Sequence, residues 1–186
     1  MARAYPEYEY DLDERLLTAL QEEFAPHAFI ANLAGKLTAA SAQERNTFLR
    51  QALECYGGDL ARKAIELGNK YKDRTAEVIE EVAAKTGISF PSLPQRYLEI
   101  AMLATRPEDK WKINEASTRR FTFTVSGCTF RQALVEKLGP EVPCQEACLA
   151  LLNTIYRELH MEVTVGFEEL AGTGCRFTCT FVRMGA

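Results

Sequence analysis

The chain has 186 residues, 47% of them hydrophobic, with 26 acidic and 22 basic residues for a formal charge of -4. This is an ordinary globular composition, long enough to bury a core without disulfide staples, and its acidic balance argues against a nucleic-acid footprint. No stretch approaches the ~20 apolar residues that span a bilayer; the most apolar, Leu98 to Ala104, contains Glu99.

The first fifteen residues, MARAYPEYEYDLDER, are acidic and tyrosine-rich. A secretory signal needs a positive start and a long apolar run, so a cytoplasmic protein is expected. In that compartment the six cysteines are expected to be reduced, and metal binding or catalysis ranks before a disulfide framework. Length predicts one domain, 1–186, with a helical half over 1–107 and a sheet-bearing, cysteine-rich half over 108–186.

Before Pro107 the pattern is helical. Leu12, Leu16, Leu17 and Leu20 form an apolar stripe that Asp11 or Asp13 can cap. Ser41 with Glu44 three residues on is a capping-box signature, opening a helix from Ala42 to Leu67. Gly57 and Gly58 inside it imply a bend or the close approach of another element. A third helix is expected over Arg74 to Lys85, stopping at Gly87. A further one follows Pro94 through Tyr97, Leu98, Ile100 and Met102 and ends by Pro107. The N-terminal half thus holds four or five helices.

After Pro107 the period shifts toward two. Lys110 to Ile113 reads as a short strand, and Arg119 to Val125 as a clear one, with Phe121, Phe123 and Val125 on one face. Helices are expected over Thr129 to Leu138 and Cys144 to Leu159. Met161, Val163, Val165 and Phe167 alternate in a third strand, and Cys175, Phe177, Cys179 and Phe181 in a fourth. Helices followed by β-β-α-α-β-β describe an α+β fold with an antiparallel sheet.

Five of the six cysteines lie between 128 and 179. Cys144 and Cys148 share a helix face, and Cys175 and Cys179 share a strand face, so a helix packed on that face would bring the pairs together. Four thiolates suit zinc or an iron–sulfur cluster, and the metal set would be Cys128, Cys144, Cys148 and Cys175. Cys55, Cys148 and Cys179 read first as small core hydrophobes. Cys128, Cys144 and Cys175 sit at element boundaries instead. A helix start lowers a thiol's pKa, which makes Cys144 the expected nucleophile and the thiol expected to alkylate fastest.

The run Gly127-Cys128, the helix ending Leu138-Gly139, then Cys144, and Gly172-x-x-Cys175-x-Phe177 resemble the L-2-amino-thiazoline-4-carboxylic acid hydrolase family. They are also similar, more distantly, to the 4-vinyl reductase domain. The likeness covers about 60 residues at the C-terminal end. It implies an α+β fold like that of small-molecule sensor domains and vesicle-tethering subunits. It further implies either hydrolysis of a cyclic amidine to a carbamoyl-cysteine, or ligand and metal binding, with Cys128, Cys144 and Cys175 as the motif cysteines. The hydrolase pattern often carries an acid where this chain has Ala147 and another where it has Arg176. The zinc-binding vinyl-reductase relatives place a Glu-x-x-Cys element before the last cysteine, where this chain has Glu168 and Glu169 without that cysteine.

Of the two histidines, His160 closes the last helix and fits a C-terminal cap, and His27 reads as a packing or surface residue. Cys144 and His160 stand ~24 Å apart along one helix, too far for a dyad, whereas Cys128 or Cys175 with His160 stays open. Glu168 and Glu169 are the carboxylates nearest the last cysteine. Arg119, Arg120 and Arg176 suit a carboxylate ligand, and His160 is placed with them as a ligand contact. Two functions follow. One is a hydrolase-like enzyme for a small sulfur- or nitrogen-containing carboxylate, with Cys144, Cys128, Cys175, Glu168 and Glu169 as its catalytic set. The other is a non-catalytic module whose cysteines hold a metal, a cluster or a small ligand. The expected partners are a small-molecule ligand or substrate and a second copy of the chain in a homodimer, with no nucleic acid and no membrane.

Overall fold

The helices start where local chemistry satisfies their free N–H groups. The computed structural model describes residues 12–37, 41–72, 74–87, 92–170 and 174–182; Asp11, the tyrosine-rich start and Gly172-Thr173 of the cysteine motif lie outside them. α1 (Glu14–Phe24) is capped by Asp13, whose carboxylate accepts from the Arg15 N–H at 2.9 Å. α2 (Pro26–Lys36) has proline at its first position, where the missing N–H costs nothing. Sequence reading left this helix unplaced, and the exposed His27 lies in its first turn. α3 (Ala42–Lys70) opens on the expected capping box, with the Ser41 N–H donating to the Glu44 carboxylate at 2.9 Å. α4 (Arg74–Thr86) and α5 (Ser92–Thr105) complete the helical half.

The second half runs β1 (Lys110–Ala116), β2 (Arg120–Ser126), α6 (Thr129–Leu138), α7 (Gln145–Glu158), β3 (Val163–Leu170) and β4 (Gly174–Phe181). The architecture is α+β, as expected. The four strands form one antiparallel sheet in the order β1-β2-β4-β3. β1 runs three residues beyond its expected end at Ile113, across a register shift between Ile113 and Glu115.

Side chains alternate across a strand, so register decides which residues meet. Phe123, Phe177 and Phe167 form one row on the inner face, and Phe121, Cys179 and Val165 the next. Val125, Cys175 and Glu169 form the row at the end where β4 begins. Phe121, Phe123, Phe177 and Cys179 are buried, and one hydrophobic cluster runs from Leu16 to Cys179.

α7 packs against α3, α5 and β3. The close approach expected at Gly57 is to α7: a Cβ there would stand 1.9 Å from the Ala147 carbonyl oxygen. In the first turn of α6, Phe130 joins a stack with Phe29 and Tyr56, the Tyr56 and Phe130 centroids 5.4 Å apart. The Tyr56 hydroxyl donates to the Phe24 carbonyl at 2.9 Å. This aromatic stack joins α2, α3 and α6, and it forms one wall of the cysteine cluster.

Candidate functional site

One end of the sheet gathers most of the singled-out cysteines. β2 ends at Ser126, and Gly127 then takes a positive φ of 67°, a conformation glycine adopts freely. That turn places Cys128 as the N-cap of α6, its Sγ accepting from the Arg131 N–H at 3.4 Å. Cys175 sits opposite Val125 at the start of β4. Cys144 is the residue before α7, and Cys148 lies one turn further along. Cys144 is close enough to feel charge on Cys148, Arg131, Cys175 and Cys128. The expected trio therefore converges, and Cys148 joins it. Cys179 does not: it is two inward positions further along β4, where it meets Tyr156. Cys55 is exposed on α3.

The helix starts do not activate these thiols. Burial pushes Cys144 up to about 12, with its cysteine neighbours adding to the rise and Arg131 only partly opposing it. Burial likewise lifts Cys128 to about 11 against the pull of Arg106, and it raises Cys175. The side chain of Cys144 receives no capping hydrogen bond, so the benefit expected from a helix N-terminus is small there and loss of water dominates. Cys144 is thus a desolvated thiol that holds its proton more tightly than a free cysteine.

Sequence reading missed the charged groups at the centre. Arg106 follows α5 and is buried, 7% exposed. Its guanidinium donates to Met102 Sδ at 2.7 Å and to Cys148 Sγ at 3.6 Å, and lies 5.5 Å over the Phe130 ring. Burial works against its charge, but Cys148, Cys128 and Asp109 outweigh that and raise its pKa. The carboxyl group of Asp109 faces Arg106 beside these sulfurs. Asp109 is also buried. Its Oδ1 accepts from both the N–H and the hydroxyl of Thr129 at 2.7 Å, and its Oδ2 has no partner among the described residues.

A sequence signal for Arg106 existed. Leu98 and Met102 lie on the buried face of α5, and position 106 continues that i, i+4 stripe. A small apolar cavity, with an accessible volume of about 10 Å³, is lined by Leu98, Met102, Phe123, Val125, Cys148, Leu151, Leu152 and Phe177. That is room for about one water-sized molecule. Met102 and Cys148 line the cavity and also receive the Arg106 bonds.

The remaining candidates are placed differently from expectation. Glu169 shares the inner face with Cys175, where it takes a hydrogen bond from Arg131. Glu168 and Arg176 pair on the opposite face at 2.8 Å, so neither reaches the cysteines. Arg120 lies at the far end of β2 opposite Thr180, ~17 Å from Val125 at ~3.4 Å per residue. It pairs with Glu115, and Arg119 precedes it. His160 follows α7 at that same end with a φ of 54° and is exposed. It joins neither Cys128 nor Cys175; it follows the C-cap Leu159, and its N–H donates to the Arg157 carbonyl at 3.0 Å. All four stand away from the cysteine cluster, with Arg119, Arg120 and His160 exposed and Arg176 half-buried.

The placement of the described side chains gives the expected metal set no support. Among the described residues, no group of three or more His, Cys, Asp or Glu side chains is placed to hold a metal ion. The guanidinium groups of Arg106 and Arg131 beside the thiols also oppose a cation there. The residues present therefore do not fit zinc or an iron–sulfur cluster. Among the described residues no helix is long and apolar enough to cross a membrane.

No family model matches the chain, and no curated protein matches it. Solved structures of the Fe(II) unliganded H-NOX protein from K. algicida align over most of its length. A point mutant of that protein gives a TM-score of 0.44 at 10% identity, covering 92% of this chain and 95% of that one. The protein without the mutation gives 0.37 at 11% identity, covering 91% and 94%. Likenesses this weak are no guide to ligand or reaction.

Proposed function

We propose that the chain is a non-catalytic binding module for a compact anion, held at Arg106 within the cysteine cluster. The observation that carries this reading is the buried guanidinium itself. Its hydrogen bonds go to two sulfurs, Met102 Sδ and Cys148 Sγ, which are weak acceptors, while Asp109 directs Oδ1 to Thr129 and makes no hydrogen bond to the guanidinium. A planar donor fork is pre-organised for a carboxylate or similar anion, and exchanging sulfur acceptors for anionic oxygens strengthens its bonds. Hydrolysis of a cyclic amidine needs a base for water and an acid for the leaving nitrogen. Glu169 is tied to Arg131 and Glu168 faces away, and Cys144 and Cys128 keep their protons.

Thermal unfolding at constant ionic strength tests the reading, with acetate as probe and acetamide as its neutral counterpart. Acetate at 100 times its Kd is expected to stabilise by about 2.7 kcal/mol, a rise in Tm of roughly 5–10 °C for a chain of this size. Acetamide should leave Tm unchanged, and Arg106→Met should abolish the acetate effect. Should that variant fold poorly because Asp109 loses its facing charge, Arg106→Met with Asp109→Asn removes both charges together. Equal acetate shifts in the wild type and the variants would overturn the assignment.

A further inference from the structure

Cys148 differs from its neighbours in what faces its sulfur. It is only half-buried on α7, it lines the water-sized cavity between α5, α7 and the sheet, and its sulfur receives a guanidinium hydrogen bond from the buried Arg106 at 3.6 Å, whereas the guanidinium beside Cys175 is that of Arg131. Cys128 spends its sulfur on the α6 N-cap, Cys179 is fully buried beside Tyr156, and Cys55 stands exposed. A buried donor aimed at a sulfur stabilises negative charge as it develops there, in a site where water does not screen it.

We propose that Cys148 is a site of reversible oxidation by hydrogen peroxide, with Arg106 stabilising the oxidised sulfur. The inference rests on Arg106 being the anchor of the binding site, and it assigns a regulation to that site. Cys148 Sγ attacks one peroxide oxygen: the S–O bond forms, the O–O bond breaks, and the departing hydroxide takes up the thiol proton and leaves as water. Sulfur loses two electrons and the peroxide gains them, giving a sulfenic acid. Its ionised oxygen takes the Arg106 donor now directed at sulfur, which occupies the fork that an anionic ligand would use. Return needs a low-mass thiol, which displaces the hydroxyl as water to form a mixed disulfide; a second such thiol then releases Cys148 as the free thiol.

The test treats the whole protein with a small excess of hydrogen peroxide in the presence of dimedone and reads all six cysteines by peptide mass spectrometry. Cys148 should label faster than the exposed Cys55, and Arg106→Met should slow Cys148 roughly tenfold, the factor carried by about one charge-assisted hydrogen bond, without changing Cys55. Omitting dimedone and adding glutathione should restore the free thiol. Labelling of Cys55 ahead of Cys148 in the wild type would overturn the proposal without recourse to any variant, as would an unchanged Cys148 rate in a folded Arg106→Met protein. Acetate at a concentration that raises Tm should slow Cys148 labelling. If acetate shifts Tm while Cys148 stays unlabelled, the oxidation inference fails and the binding reading stands. If acetate has no effect on Tm or on labelling, the binding reading fails first.

Discussion

Gly57→Ala is expected to destabilise the protein by about 4 kcal/mol, whereas Gly58→Ala, one residue on, is expected to stabilise it by about 0.5–1 kcal/mol. Both glycines lie within α3, so both gain helix propensity on becoming alanine. Their surroundings differ. At Gly57 the new Cβ would meet the Ala147 carbonyl oxygen at 1.9 Å and its carbon at 2.8 Å. Those are backbone atoms of α7 and cannot rotate aside, so the whole α3–α7 crossing must open. Overpacking that a side chain absorbs costs about 1–3 kcal/mol; a backbone collision in the principal helix contact lies above that range. At Gly58 the nearest atom is Thr154 Oγ1 at 3.5 Å, an ordinary contact. Calorimetry should show Tm falling by roughly 8–16 °C for Gly57→Ala, at about 2–4 °C per kcal/mol. Equal, small effects at both positions would mean that α3 and α7 do not meet as described.

Raising the pH above about 9 is expected to weaken the fold before any acid-side effect of similar size appears. The sign follows from the direction of the shifts. Burial raises Cys128 and Cys179 from near 9 to about 11, so the unfolded chain loses these protons first as pH rises. Their contribution is complete below pH ~9 and is lost between there and the folded value, at up to ~1.4 kcal/mol per pH unit for each group. By pH 11 the two together remove about 4 kcal/mol. Tyr56 and Tyr156, also raised by burial, add to the loss above pH ~10. Denaturant titrations from pH 7 to 11 check this: the midpoint should fall steadily above pH 9, and Cys179→Ala should flatten the fall. A midpoint that stays level to pH 11 would show that these thiols are not desolvated.

The order of helices and strands was legible because their signals are local. Ser41 with Glu44 marks a helix start, and the alternation of Phe121, Phe123 and Val125 marks a buried strand face. The convergence of Cys128, Cys144 and Cys175 was also legible, since each lies at an element boundary and the connections are short. The chemistry of those thiols was not, because it depends on how much water the assembled helices exclude, a tertiary quantity. Glu168 and Glu169 could have been told apart by strand parity. Val163, Val165 and Phe167 point inward, so position 169 does too and position 168 does not. Arg106 was passed over as a helix end before Pro107, although it continues the buried stripe of Leu98 and Met102.

The most direct measurement incubates the protein at stoichiometric amounts with L-2-amino-thiazoline-4-carboxylate and follows carbamoyl-cysteine by mass spectrometry. A binding module predicts no product above the rate in buffer, in the wild type and in Cys144→Ser alike, because Glu169 is tied to Arg131, Glu168 faces away, and burial raises the pKa of the Cys144 thiol. Product formed by the wild type and lost in Cys144→Ser would contradict the account and restore Cys144 as the nucleophile of a hydrolase.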